Sequence, residues 1–274
     1  MNMQTQIAPA DFAADDLPLM LPGRPEARYD LPKAWRHFKL LIKDKEDTAQ
    51  VTPIFEALPW RGIYDAALAF LKTDRAQEIR RKEPSLVALL DDHAALRKLP
   101  EGSLAHVYCD FMEREGLSAQ GLVDELDKNR PADMYWDDQV SWYFNRMRDT
   151  HDLLHILTGF GRDALGEQCV LAFTYSQQPS PAHLFLGYAG AFEIKKRLKS
   201  KAPIFGAVRQ AQRMGKACPR LVEMSISELL PLPIEEVRRK LNIAVPQQYL
   251  DAHTIWRGMG IDPYDLIAPE AKAA

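Results

Sequence analysis

The chain has few means of covalent bracing, and no stretch that would carry it through a bilayer. Its three cysteines, Cys109, Cys169 and Cys218, are widely spaced and odd in number. That suits a reducing compartment and offers no thiolate metal site. No run approaches the roughly twenty apolar residues that a membrane-spanning helix needs, and no secretory signal is visible. Positive charge is not in surplus either. The 35 Lys and Arg against 38 Asp and Glu leave a net charge of −3, which argues against nucleic acid as a partner, because such surfaces carry a basic footprint. No basic residue precedes Arg24, whereas Asp11, Asp15 and Asp16 do. Those acids disfavour a mitochondrial transit peptide, so a bacterial cytoplasmic protein is expected. Alternating strand-like runs and internal repeats are absent too.

What remains is helical. Apolar residues recur at three-and-four spacing over Trp35 to Lys43, Ile63 to Lys72, Ser85 to Leu96 and Leu104 to Arg114. Pro53, Pro59, Pro84 and Pro100 punctuate these segments, and Ser103 is placed to cap the helix that follows it. With 274 residues the chain can build one large core with an arm attached. The expected class is all-α, a multi-helix bundle. Residues 32–267 form a single domain, 1–31 a mobile arm rich in Ala, Asp and Pro, and 268–274 a frayed tail.

The most informative residues are His151, Asp152 and His155, followed after eleven intervening residues by Glu167. Imidazoles four residues apart on a helix stand one turn above each other and can converge on one point. Asp152 lies on the same side as His155. Val140, Tyr143, Phe144, Met147, Leu154 and Leu157 give helical spacing from about Asp137 to Thr158. Gly159 and Gly161 then end that helix, and Asp163 can cap the next one, which runs through Leu165, Val170, Leu171, Phe173 and Thr174. A connection so short favours an antiparallel hairpin. His155 and Glu167 each stand about one turn from it, so Glu167 comes level with the imidazoles. Two neutral nitrogens and two carboxylates suit a divalent metal.

Related patterns fit less well. A zinc protease helix wants Glu where Asp152 stands. A ferritin-like di-iron site wants paired Glu-x-x-His motifs. An HD phosphohydrolase needs a further upstream His, a part that His93 or His106 would have to take. Helical projection places Phe144 and Arg148 beside His151, and Leu171 and Thr174 beside Glu167. Arg148 is then a partner that holds Asp152, a receiver for a substrate carboxylate, or equally one half of a simple intrahelical ion pair.

The pattern His-Asp-x-x-His, eleven residues, Glu resembles the signature of the ubiquinone (coenzyme Q) biosynthesis proteins of the Coq4 family. The stretch Leu99 to Met112, the flanks Arg148 to Asp152 and Leu157 to Gly159, and the late segment Pro233 to Ile243 are similar as well. The likeness runs from about Lys33 to Ile243. Residues before Pro32 have no counterpart, and Met224 to Leu230 lack the tryptophan-acidic pattern of many members. The resemblance implies an all-helical fold, a divalent metal (zinc, with iron, manganese or cobalt as alternatives) and a polyprenylated aromatic precursor as ligand. It implies peripheral attachment to the inner membrane (the matrix face for a processed eukaryotic member), homodimers, and association with other ubiquinone biosynthesis enzymes.

The activity implied is oxidative decarboxylation of a polyprenyl hydroxybenzoate-type precursor, the ring carboxylate giving way to a hydroxyl, with Arg148 and Asp152 as candidate catalytic residues. The alternative is a non-catalytic isoprenoid-binding scaffold that organises other enzymes. Leu184 to Phe192, followed by Lys195, Lys196, Arg197, Lys199 and Lys201, reads as either a core helix with a solvated basic end or a lipid-contacting one. The resemblance favours the second reading. Phe144, Leu171, Thr174, Leu184, Phe185 and Tyr188 are accordingly the expected lipid and substrate contacts.

Overall fold

A computed structural model of the chain describes residues 17–43, 50–127 and 136–266. Among them the only β-type pairing is an isolated bridge between Ser103 and Pro233. The helices run in order α1 (Leu31–Lys43), α2 (Val51–Ala57), α3 (Ile63–Leu71), α4 (Asp74–Lys82), α5 (Leu86–Asp91), α6 (His93–Leu96), α7 (Leu104–Glu115) and α8 (Ala119–Asp127). Then follow α9 (Gln139–Asp149), α10 (His151–Thr158), α11 (Ala164–Gln177), α12 (Pro181–Leu198), α13 (Ile204–Ala217), α14 (Ile226–Leu229), α15 (Ile234–Lys240) and α16 (Gln247–Gly258).

Two helices expected as continuous are divided. Asp92 splits the Ser85–Leu96 segment because its side chain accepts from the Ala95 N–H, starting α6 afresh. The longer Asp137–Thr158 helix breaks at Thr150, whose hydroxyl donates to the Met147 carbonyl at 3.2 Å and whose ψ opens to −2°. Thr competes for its own backbone in this way, so α10 begins as a separate short helix that carries both imidazoles. Ser103 caps α7 as expected, accepting from His106 N–H.

The largest core joins α7, α10, α11, α13 and α16 through Tyr108, Met112, Leu153, Leu157, Phe160, Phe173, Val208 and Trp256, all at most 1% exposed. A second cluster links α3, α4 and α9, and a third links α1, α2 and the start of α12. The part of the expected arm that is described is tied down. The Gln139 and Val140 N–H groups donate to Pro18 and Leu19 carbonyls, and the Arg24 guanidinium meets Asp138 at the start of α9. Residues 1–16 of that arm and the tail 268–274 lie outside the described residues. No described helix is long and apolar enough to cross a membrane.

Candidate metal centre

The α10–α11 hairpin is held at its turn by four separate devices. Gly159 takes φ +74°, a left-handed conformation that closes α10 and that a side chain would strain. Gly161, by contrast, is not left-handed: a Cβ there would collide with the Tyr264 and Tyr249 hydroxyls, and its N–H donates to Tyr249 at 3.0 Å. Asp163 caps α11 through Leu165 and Gly166 N–H, and also accepts from Tyr249 and from His253 Nε2, the latter at 3.1 Å. Arg238 then caps the other side of the turn, its guanidinium donating to the Ile156 and Leu157 carbonyls at the end of α10 (both 2.9 Å).

This scaffold brings His151, His155 and Glu167 together: one ligand atom from each lies within 4.8 Å of the other two. His155 Nε2 is 3.5 Å from Glu167 Oε1, and His151 Nε2 is 4.0 Å from Glu167 Oε2. Ligand atoms about 2.1 Å from a tetrahedral ion stand about 3.4 Å apart, so the first pair already has that spacing. His155 is fully buried, its Nδ1–H donating 3.0 Å to the Phe160 carbonyl. A carbonyl only accepts, which fixes the tautomer and leaves Nε2 with its lone pair toward Glu167. That nitrogen has no hydrogen-bond partner. A buried unpaired acceptor costs about 1–3 kcal/mol, and a metal-ligating His commonly presents this arrangement, its second N–H fixed by a backbone carbonyl.

The other candidates are distributed differently. Asp152 is not in the converging group: its Oδ1 faces His151 Nδ1 at 3.4 Å. Burial works against the Asp152 carboxylate, yet its contact with His151 holds the pKa below the ordinary value. Burial likewise opposes a charged His151, but Asp152 and Glu167 outweigh it and raise its pKa. Burial lowers the pKa of His155. Arg148 turns to its neighbour Asp149 (Nε to Oδ1, 2.7 Å) instead of to Asp152. This matches the simple intrahelical ion pair among the readings of Arg148.

Among the expected lipid contacts, Leu184, Phe185 and Tyr188 do line one open groove of about 710 Å³, with Gln212 bonded to the Tyr188 hydroxyl. Leu171 packs in the cluster that includes Phe185. Phe144 instead packs near Tyr64 under Arg24, and Thr174 spends its hydroxyl on the Val170 carbonyl.

His93 and His106 stand apart from the centre, bonded to Glu113 and to the Arg97 carbonyl. Neither supplies the upstream ligand of an HD phosphohydrolase. Cys109, read as outside any thiolate site, does lie near His93 and Glu113. Burial pushes its thiol up, however, and Arg97 already occupies Glu113. Two supporting residues escaped the sequence reading: Phe111, whose ring stacks on His155 (6.2 Å, 17°), and Arg238. Both fall inside the family-like stretches, where a role was open to inference even though the contact was not.

A helical bundle with a His-His-Glu cluster on a hairpin defines the class as a candidate metalloprotein. The family model described as coenzyme Q (ubiquinone) biosynthesis protein Coq4 matches residues 46–247, and the chain belongs to that family. It is 25% identical over 185 residues to the mitochondrial ubiquinone biosynthesis protein COQ4 of Podospora anserina, 26% over 210 residues to that of Talaromyces stipitatus and 25% over 180 residues to the Mus musculus homologue. These matches cover 67%, 76% and 65% of this chain and 58%, 67% and 64% of the relatives. A crystal structure of a provisionally named ubiquinone biosynthesis protein from Nostoc punctiforme PCC 73102 shares the fold. Its TM-score is 0.55 at 22% identity, covering 78% of this chain and 99% of that one.

Proposed function

We propose that the protein acts in ubiquinone biosynthesis as a metal-dependent enzyme that replaces the ring carboxylate of a polyprenyl hydroxybenzoate-type precursor by a hydroxyl. The observation that carries the metal reading is the unpaired, buried Nε2 of His155, held by the Phe160 carbonyl and facing Glu167. His151, His155 and Glu167 would hold the ion, and a set of three protein ligands is the pattern that keeps a position for a substrate oxygen. A bound divalent ion, zinc by family resemblance, would supply Lewis acidity toward the oxygens of the aromatic head group. Zinc has no redox chemistry, so the two electrons released when carbon dioxide leaves and a water-derived hydroxyl takes its place on the ring would pass to an oxidant such as dioxygen, giving hydrogen peroxide.

The chain's own residues do the rest. Asp152 orients His151 through Nδ1, Phe111 and the Phe160 carbonyl fix the His155 ring, and Arg238 anchors the helix that bears both. The groove of Leu184, Phe185 and Tyr188 offers an apolar wall for a prenyl tail. Peripheral contact with the inner membrane, homodimer formation and association with other ubiquinone-making enzymes accompany this reading through the family.

His155→Ala is expected to abolish metal content, measured by elemental analysis, together with carbon dioxide release from a prenylated 4-hydroxybenzoate supplied with oxygen, while helicity persists. A metal-loaded wild type that binds the precursor without releasing carbon dioxide would instead identify a scaffold.

A further inference from the structure

The ligands of the metal centre stand on two helices, so their spacing depends on what fixes the turn between them. His155 is held from that turn, its Nδ1–H donating 3.0 Å to the Phe160 carbonyl. Glu167 is held from it too, its backbone N–H donating 3.0 Å to the Asp163 carbonyl. The separation of the two ligands therefore follows the path of residues 160–163.

One side chain grips that path along its length. The ring of Tyr249, in the first turn of α16, meets Phe160 edge-on with centroids 5.4 Å apart. Its hydroxyl accepts from the Gly161 N–H at 3.0 Å and donates to Oδ2 of Asp163. Glycine at 161 lets the hydroxyl come so near, since a Cβ would lie against it. Tyr249 is buried, and burial together with the Asp163 charge pushes its pKa up, so the hydroxyl keeps its proton and remains a donor. Packing against Phe160 needs only the ring, which a phenylalanine would supply at no desolvation cost. The hydroxyl serves the turn. Tyr249 also lies just past the stretch 46–247 that the family model matches.

We infer that Tyr249 is a positioning residue for the metal centre, its hydroxyl setting the separation of His155 and Glu167 by clamping the turn that joins their helices. The inference rests on the metal-dependent function proposed above. A group that orients ligands without touching the ion typically contributes ten- to hundredfold to metal affinity. It also shapes the geometry the ion adopts, which a residue serving stability alone leaves as it is.

The test uses the full chain loaded with zinc or with cobalt(II), whose visible absorption reports the number and arrangement of its ligands. Tyr249→Phe keeps the ring on Phe160 and removes both hydroxyl bonds. It is expected to weaken zinc binding about ten- to hundredfold and to change the cobalt spectrum, with helicity retained. Asp163→Asn breaks the same contact from the other side. Its Oδ1 still accepts from the Leu165 and Gly166 N–H groups and from His253, while the amide in the Oδ2 place no longer accepts from Tyr249. Both readings should move in the same direction, and this variant carries the test if Tyr249→Phe does not fold. Arg146→Met lowers stability through a cluster that shares no residue with the turn, and its folded fraction should keep wild-type affinity and spectrum. Wild-type zinc affinity or a wild-type cobalt spectrum in the turn variant overturns the assignment, and so does an equal change in Arg146→Met. A wild type that binds neither metal refutes the metal reading itself, and this inference with it. That result is distinct from wild-type binding that Tyr249→Phe leaves intact.

Discussion

Two charged clusters in this molecule are buried to different degrees of completion. Glu83 and Arg146 are fully enclosed and meet at 2.7 Å. Glu83 also accepts from the Ser225 hydroxyl and from both the N–H and hydroxyl of Ser227, and Arg146 donates to the Val222 and Met224 carbonyls. Every strong donor and acceptor there has a protein partner. The His151–His155–Glu167 cluster is left open: Glu167 and His151 are about a third exposed, and His155 Nε2 is unpaired. The lesson is that burial of charge does not mark a functional site. Incomplete satisfaction does, because a closed network has nothing left to offer a ligand.

The sharpest way to break this comparison is to open the closed cluster. Arg146→Met leaves the Glu83 carboxylate buried without its counter-ion, and a stability loss of about 3–5 kcal/mol is expected in denaturant unfolding, with zinc binding by the folded fraction unchanged. The same cluster sets an acid limit. Burial opposes the Glu83 carboxylate, but Ser225 and Arg146 more than compensate and hold its pKa below the ordinary value. Its folded pKa is therefore lower than its unfolded one. The resulting stability is complete above the unfolded value, about 4.3, and disappears as pH falls through the folded value. Glu83→Gln should flatten the pH dependence of unfolding in that acidic window.

The next largest effect belongs to the open cluster. If it binds metal only when folded, zinc at a hundredfold excess over its dissociation constant raises stability by about 2.7 kcal/mol, read as a thermal shift that His155→Ala lacks. An equal shift in both proteins would place the ion elsewhere.

The contrast between the clusters also shows what one-dimensional pattern can carry. The hairpin was legible because its parts are local: four-residue spacing of the imidazoles, Gly159 at the turn and Asp163 at the cap. The Glu83–Arg146 pair joins residues 63 apart, and Arg238 reaches α10 across 82. Spacing holds no information about such meetings. Arg24 was hidden in the same way, since an Ala- and Pro-rich segment shows nothing of the Asp138 carboxylate that anchors it. Arg148 was open for a different reason: an intrahelical ion pair was one of its readings, but Asp149 and Asp152 are both neighbours on a helix, and the sequence does not choose the first.

The smallest predicted effect discriminates most finely, because it separates two parts that Asp152 can take. As folded, Asp152 touches the Nδ1 of His151 and leaves Nε2 toward Glu167. A carboxylate that orients a ligating imidazole without touching the metal typically contributes ten- to hundredfold in metal affinity, about 1.4–2.7 kcal/mol. Asp152→Asn keeps the size and one acceptor oxygen, so His151 keeps its orientation while losing the charge behind it. The expected outcome is zinc affinity reduced by about that factor in competition with a chromophoric chelator, with full occupancy recovered at higher zinc. A direct ligand behaves otherwise: removing its charge would prevent full occupancy at any practical concentration, as His155→Ala should. If Asp152→Asn falls into that second class, Asp152 moves onto the ion when it binds, and the open cluster is a four-ligand site that closes around its metal.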